Sequence, residues 1–394
     1  MKNKIKKIDA IILCGGYGKR IEQLTKNKIS KTILNIGNKQ FLDYLLKKIS
    51  LYPFNKIILL AGFKGEIIKK KYHRTKSNLI DVECIIEKKP EGTARALYKV
   101  KKYINNDFIL FNGDTFFDCD LSFFFKSQIN QNYLSHILLT KNFELSKTKN
   151  LLNLNLNKNK TLFFSKKTNL INGGVIFMKK KILNLIKKNN LSLENEIINK
   201  LILKKKIIGT LDKGFFVDIG TKKNYLMAIK IIPSMFLKPA LFLDQDGVIN
   251  KDFGYVNKIK RLKYNKNIFK ILRTYQKKFF LFIVTNQSGI ARGYYNVSQF
   301  YQFQRKIKND LFLKNILIND VEYCPHHIEN IIKKYKKICS CRKPKTGMIK
   351  NLKKKWNIII NKSFFIGDRK SDELCAKKSN IKFLYFNNKN LKLI

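Results

Sequence analysis

The chain has 394 residues, enough for two domains of ordinary size, and its 44% apolar content with 12% aromatics excludes a disordered polymer. A formal net charge of +54 raises a nucleic-acid partner, yet the lysines are spread over the whole chain among Asn, Ile and Phe. With no zinc-finger helix, RNA-binding fingerprint or Arg-rich arm, no specific nucleic acid is expected, and attraction to phosphorylated small molecules is the better use of the charge.

At the N-terminus, Ala10–Leu13 is too short for a signal peptide and is broken by Asp9 and the following glycines. No run reaches transmembrane length, so the expectation is a cytoplasmic protein with no membrane partner. Short Ile/Leu/Phe/Val runs at 10–13, 56–61, 108–111, 240–243, 279–284 and 363–366 alternate with Lys-rich amphipathic stretches. This is the pattern of parallel strands linked by helices, and it predicts α/β folds in both halves. The Leu-Asn alternation of 151–172, with a polar break at Asn157-Lys158-Asn159, predicts a hairpin. Pro233 ends a helix-like stretch and Pro239 precedes a strand, placing domains at 1–232 and 239–394 with a linker at 233–238.

In the first half, Gly15, Gly16 and Gly18 follow a strand and are succeeded by Lys19 and Arg20. Glycines let backbone N–H groups approach phosphate, and a following helix N-terminus would favour the anion. Alone, this is equally a plain strand–turn–helix connection. Downstream lie Lys31, Glu87, Gly92-Thr93-Ala94-Arg95, Asn112-Gly113-Asp114, Asn172-Gly173-Gly174 and Val217-Asp218. Two carboxylates on strand ends can hold Mg²⁺ against a triphosphate. In this order the motifs resemble the sugar-1-phosphate nucleotidyltransferase family over about 8–232, and most of all its heptose-1-phosphate guanylyltransferase branch. The resemblance implies a Rossmann-like fold in which Gly15, Gly16 and Arg20 grip GTP and Lys31 neutralises phosphate. It implies Mg²⁺ on Asp114 and Asp218, substrate contacts from Gly92 and Thr93, and sugar contacts from Asn172, Gly173 and Glu194.

In the second half, Asp244 and Asp246 end a strand, and Thr285-Asn286 ends another. Arg342-Lys343 and Asp368, with Asp372 four residues on, complete the set. An isolated Asp pair could be an N-cap; gathered at the carboxyl ends of parallel strands, these groups make a site. Cys324-Pro325-His326-His327 and Cys339-Ser340-Cys341 supply four ligands at paired spacing suited to tetrahedral Zn²⁺. The odd total of seven cysteines argues against a disulfide framework.

The set resembles the haloacid dehalogenase phosphatase superfamily over about 239–390, and within it the heptose-1,7-bisphosphate phosphatases, with histidinol-phosphate phosphatases as near relatives. The resemblance implies Asp244 as nucleophile and Asp246 as general acid and base. Thr285, Asn286, Arg342 and Lys343 would hold the phosphoryl group, and Mg²⁺ would lie on Asp244, Asp246 and Asp368. It also implies structural Zn²⁺ on Cys324, His326, Cys339 and Cys341, the choice of His326 over His327 resting on family spacing. The 41 positions from Asp244 to Thr285 leave no room for a large cap. Together the resemblances imply a bifunctional enzyme that removes the 7-phosphate of a heptose bisphosphate and then joins heptose 1-phosphate to GMP. The alternatives are the same reactions on another sugar or nucleotide, and a basic nucleic-acid-binding protein on decayed enzyme folds.

Overall fold

A computed structural model describes residues 5–22, 28–87, 89, 91–126, 132–141, 154–165, 170–329 and 331–386. Packing divides the chain into two units, Met1–Ile232 and Pro233–Ile394. Residues 233–238, expected as a linker, belong to the second by this division. The helix Lys222–Met235 runs through Pro233, and Leu237–Lys238 pair in parallel with Asn357–Ile358. Pro233 is tolerated because it sits in the helix's last turn, where few further backbone bonds depend on it.

The first unit is built on eight strands: β1 (Ile8–Cys14), β2 (Ile57–Ala61), β3 (Thr75–Ser77), β4 (Ile80–Ile86), β5 (Asp107–Asn112), β6 (Ser135–Thr140), β7 (Ile171–Met178) and β8 (Ile207–Leu211). They lie in the order β8-β6-β7-β5-β1-β2-β4-β3. The central strands β5, β1, β2 and β4 are parallel, as their apolar runs predict. The sheet as a whole is mixed: β7 is antiparallel to both β5 and β6, and β3 is antiparallel to β4. An apolar run records burial on both faces and not strand direction, so the sequence pattern could not show this. Against one face packs the helix Thr93–Val100, burying Ala94, Ala96, Leu97 and Val100 beside Ile58, Leu60, Phe108 and Leu110. The predicted hairpin is present as Leu154–Leu156 paired antiparallel with Leu162–Phe164; residues 151–153 and 166–169 of that segment lie outside the described residues.

The second unit is a parallel sheet of β9 (Ala240–Leu243), β10 (Phe280–Asn286), β11 (Asp320–Cys324), β12 (Phe364–Gly367) and β13 (Lys382–Tyr385), in the order β11-β10-β9-β12-β13. All four residues of β9 are buried. The order reverses at β9, so a crevice opens beyond its carboxyl end, flanked by the ends of β10 and β12. Between β9 and β10 the described regular elements are a single 3-10 turn, Ile259–Arg261, and the helix Ile268–Tyr275. Among the described residues, no helix is long and apolar enough to cross a membrane.

Candidate active sites

In the first unit, the ends of β1, β4 and β5 border a cavity of about 370 Å³. It is lined by Gly15, Gly16, Lys31, Gly92, Thr93, Asp114 and Glu194 of the predicted set. Other lining residues include Tyr17, and Glu87 and Asn112, which the motifs contain but to which the sequence assigned no role. Glu87 follows β4 directly; burial raises its pKa, and its Oε1 is buried with no hydrogen-bond partner.

Gly92 shows why a glycine stands in the Gly-Thr motif. Its φ is +107°, and a Cβ there would lie 2.2 Å from the Leu191 carbonyl oxygen. That close approach lets Thr93 Oγ1 donate to Glu194 Oε2 at 3.1 Å and accept the Leu193 N–H at 2.9 Å. Glu194 lies in a π-helical turn, Leu193–Ile198, a geometry frequent at functional sites.

Asp114 is ion-paired with Lys31. Burial works against its charge, but the Lys31 ammonium prevails and holds the carboxyl below its ordinary range. Asp218 reaches the same region because Phe216–Asp218 pairs antiparallel with Thr115–Phe117, setting Asp218 opposite Thr115. Burial and the neighbouring Asp114 push Asp218 up to about 6, although its Oδ1 accepts the Gly220 N–H at 2.6 Å. Two carboxylates that repel one another in this way suit a dication. Arg20 is exposed and electrostatically felt by both aspartates.

Asp218, Arg20, Asn172 and Gly173 are not among the cavity's lining residues. Asn172 Oδ1 accepts the Gly174 N–H at 2.9 Å, and Gly173 is packed against the Phe117 ring. After the glycines comes a 3-10 turn, Lys19–Ile21, and Glu22 is helical; the expected helix falls on residues 23–27, which lie outside the described residues.

In the second unit, a cavity of about 370 Å³ at the carboxyl ends of β9 and β10 is lined by Asp244, Asp246, Thr285, Asn286, Arg342 and Lys343. Lys343 is almost wholly buried; its Nζ lies 2.8 Å from Asp244 Oδ1 and 2.7 Å from Asp372 Oδ1, and donates to Val284 O at 2.8 Å. Burial pushes Asp244 up to about 7, with Lys343 pulling the other way. The Asn286 amide clamps the Lys343 backbone, donating to its carbonyl at 3.1 Å and accepting its N–H at 3.0 Å. Asn286 therefore positions the lysine. Asp246 accepts from Asn250 at 2.8 Å and from Gln287 at 3.1 Å, and burial raises its pKa. Gln287 also donates to Thr285 Oγ1 at 3.0 Å. It links acid to hydroxyl, a role that the sequence alone did not single out.

The carboxylates within mutual reach of one cation are Asp244, Asp368 and Asp372. Of the expected set, Asp244 and Asp368 belong to this cluster; Asp372 joins them from the helix Lys370–Lys378, while the Asp246 side chain is turned to Asn250 and Gln287. Asp368 Oδ1 is buried with no hydrogen-bond partner, an orphan that a cation would satisfy.

Cys324, His326, Cys339 and Cys341 form a second cluster able to hold a metal ion. Cys324 Sγ lies 3.6 Å from Cys339 Sγ and 3.2 Å from Cys341 Sγ, and His326 Nδ1 lies 3.3 Å from Cys341 Sγ. These are edge lengths of a compact four-ligand polyhedron. His326 is the histidine that joins it, while His327 lines the cavity.

The chain matches the Nucleotidyl transferase family model over residues 9–147 and the Polynucleotide kinase 3 phosphatase family model over residues 248–385. The D-glycero-alpha-D-manno-heptose-1,7-bisphosphate 7-phosphatase of Photorhabdus laumondii is 40% identical over 141 residues, covering 36% of this chain and 77% of the relative. The D-glycero-beta-D-manno-heptose-1,7-bisphosphate 7-phosphatase of Rhodopseudomonas palustris is 39% identical over 145 residues, covering 36% and 81%. The crystal structure of HddC from Yersinia pseudotuberculosis aligns with a TM-score of 0.48 at 25% identity, over 57% of this chain and 98% of that one. The chain thus belongs to the heptose-1,7-bisphosphate 7-phosphatase family and joins to that phosphatase a nucleotidyl transferase domain, two enzymes in one polypeptide.

Proposed function

We propose that the chain removes the 7-phosphate of D-glycero-α-D-manno-heptose 1,7-bisphosphate in its residues 239–394 and joins the resulting heptose 1-phosphate to GMP from GTP in residues 1–232. The observation that carries the reading is the coexistence of the Asp244–Lys343–Asp372 constellation and the Lys31–Asp114 constellation, each lining a cavity, in one chain. The product of the first reaction is the substrate of the second. Relatives acting on either anomer match equally well, so the α form rests on the pairing with a guanylyltransferase-like domain.

In the phosphatase, an Asp244 oxygen attacks the phosphorus and the bond to the sugar oxygen breaks. Asp246, kept readily protonated by burial, gives its proton to that oxygen and then takes one from the water that hydrolyses the aspartyl-phosphate. Thr285 Oγ1 accepts from Gln287, which leaves its own hydrogen for a phosphoryl oxygen. Lys343 balances the charge gathered on the phosphoryl group. Mg²⁺ held by Asp244, Asp368 and Asp372 would supply further charge neutralisation. Zn²⁺ suits the Cys/His cluster: four protein ligands leave no open position, which marks a structural role. The last residue of the cluster, Cys341, directly precedes Arg342 and Lys343, so a metal held there would help fix where those cations point.

In the transferase, an oxygen of the sugar 1-phosphate attacks the α-phosphorus of GTP and pyrophosphate leaves. Lys31 and Arg20 position the phosphates and neutralise their charge; Asp114 and Asp218 are the residues that would hold Mg²⁺, which would supply further charge neutralisation. Glu87 supports a guanine base: guanine offers two adjacent donors, N1–H and N2–H₂, to a carboxylate oxygen that otherwise lacks a partner.

The test is phosphorus NMR of the purified chain with heptose 1,7-bisphosphate, GTP and Mg²⁺. Loss of the 7-phosphate signal followed by a sugar-linked diphosphate pair is expected. Free phosphate with no GDP-sugar refutes the transferase half, and an unchanged spectrum refutes both.

A further inference from the structure

We infer that Gln304, acting through Gln245, is a positioning residue that directs the proton of the general acid Asp246 to its Oδ2 oxygen, from which it passes to the leaving sugar. The inference rests on the phosphatase reading above. Gln304 lies on the helix Val297–Leu313, on the same buried face as Phe300, Phe303, Ile307 and Leu311, and is wholly buried. At that helical spacing packing alone calls for an aliphatic side chain. A buried amide costs free energy where it is not hydrogen-bonded, and the Gln304 Oε1 has no hydrogen-bond partner. What accounts for the residue is its other end, whose Nε2 donates to Gln245 Oε1.

Gln245 is wholly buried as well, and its Nε2 donates to Asp246 Oδ1 at 3.3 Å. An ionised carboxylate only accepts, so Gln245 shows Asp246 its NH₂ end and turns its Oε1 away. That Oε1 needs a donor behind it, and Gln304 is the donor; the two amide orientations are assigned from this network. Asn250 Nδ2 also donates to Asp246 Oδ1, at 2.8 Å, so both lone pairs of Oδ1 are spent. Among the described residues, Oδ2 accepts from Gln287 Nε2, at 3.1 Å. The Gln287 amide is itself held by Tyr295, whose hydroxyl donates to Gln287 Oε1. These contacts leave one lone pair of Oδ2 for the proton.

A carboxylic acid can carry its proton on either oxygen, and only one of the two serves the leaving group. Without Gln304 the buried Gln245 Oε1 is left unpaired, and the amide relieves that cost by turning toward a proton on Oδ1. The acid is then stabilised with its proton directed at Gln245. With Gln304 in place, the Asp244–phosphorus bond forms, the bond from phosphorus to the sugar oxygen breaks, and the Oδ2 proton passes to that oxygen, leaving Asp246 ionised.

The experiment measures kcat/KM of the full chain, which reports the steps up to the aspartyl-phosphate, on heptose 1,7-bisphosphate and on p-nitrophenyl phosphate, whose leaving group departs without a proton. The variants are Gln304→Met, Gln245→Met and the two combined. Gln304→Met should lower kcat/KM on the bisphosphate about 10- to 100-fold and leave that on p-nitrophenyl phosphate within about threefold, because general-acid help matters for the poor leaving group alone. The combined variant should lose no more than Gln245→Met, as expected of two residues that act through one path. Similar losses on both esters overturn the inference by showing a structural role, and an undiminished rate on the bisphosphate overturns it as well. Losses that multiply in the combined variant show that Gln304 does not act through Gln245, and also overturn it. Native protein that releases no phosphate from the bisphosphate refutes the phosphatase reading itself.

Discussion

Gly247 gives a severe test of the phosphatase geometry. It follows Asp246 with φ +95°, and a Cβ there would lie 2.0 Å from Asp368 Oδ2 and 2.4 Å from Asp368 Cγ. Ordinary carbon–oxygen contact needs more than 3 Å, so Gly247→Ala must displace the Asp368 carboxylate by about 1 Å or rotate it out of the cluster. The left-handed backbone adds a cost of about 1–2 kcal/mol. A displacement of about 1 Å in a catalytic array costs about 100-fold in rate, and loss of a cation ligand adds to that. Phosphate release from heptose 1,7-bisphosphate should therefore fall at least 100-fold and require more Mg²⁺ for half-maximal rate. Pyrophosphate release from GTP and heptose 1-phosphate, which uses residues of the first unit, should stay within about twofold. Gly247→Ala with native phosphatase rate and native Mg²⁺ dependence would show that Asp368 is not where catalysis needs it, and the proposed cation site would fall.

Three other outcomes follow from the geometry. Burial pushes the His136 imidazole down to about 4 from the ordinary 6.5, so its neutral form belongs to the folded state. Between those values the unfolded chain binds more protons, and stability is lost as pH falls from 6.5 toward 4; urea unfolding should show about 2 kcal/mol of loss between pH 7.5 and 5 that is absent in His136→Gln. Cys341→Ser should lower bound zinc from one per chain to a small fraction by atomic absorption, and lose phosphatase with it; full zinc content would refute the four-ligand site. Glu87→Gln should raise KM for GTP by about tenfold or more, since the amide loses the charge and turns one acceptor oxygen into a donor; an unchanged KM would place the base elsewhere.

The strands and both candidate sites were legible because buried parallel strands leave apolar runs that end where chemistry is displayed. Asp114, Asp244, Thr285 and Asp368 could each be found from such a run. Strand direction was not legible, as β7 shows. Neither was the presence of Asp372 in the carboxylate cluster: sequence places Asp372 four residues after Asp368, but only the helix Lys370–Lys378 turns it inward to Lys343. Glu87 stood within a motif read for other residues. What singles it out is an unsatisfied buried atom, and satisfaction is a property of three-dimensional neighbours.

The charge of the chain takes on a different meaning at this level. A formal +54 draws phosphorylated substrates and should make association rates fall with salt, but it cannot choose among them. Choice depends on which cations remain unspent once the site has balanced itself. Lys31 is spent on Asp114, Lys343 on Asp244 and Asp372, and Arg369 on Asp252. The Lys31 pair keeps the Asp114 carboxyl below its ordinary range, whereas Asp244 stays raised by burial beside Lys343. Among the described residues lining the phosphatase cavity, Arg292 and Arg342 are the arginines with no carboxylate within hydrogen-bonding distance; Arg342 Nη1 reaches only the His326 carbonyl, at 3.4 Å. Both are held by the segments around the Cys/His cluster: Arg342 adjoins Cys341, and the Arg292 turn is bonded to Ile332. Folding of that loop around a metal would thus bring both arginines to the phosphatase cavity, even though a cluster of four protein ligands leaves no open coordination position.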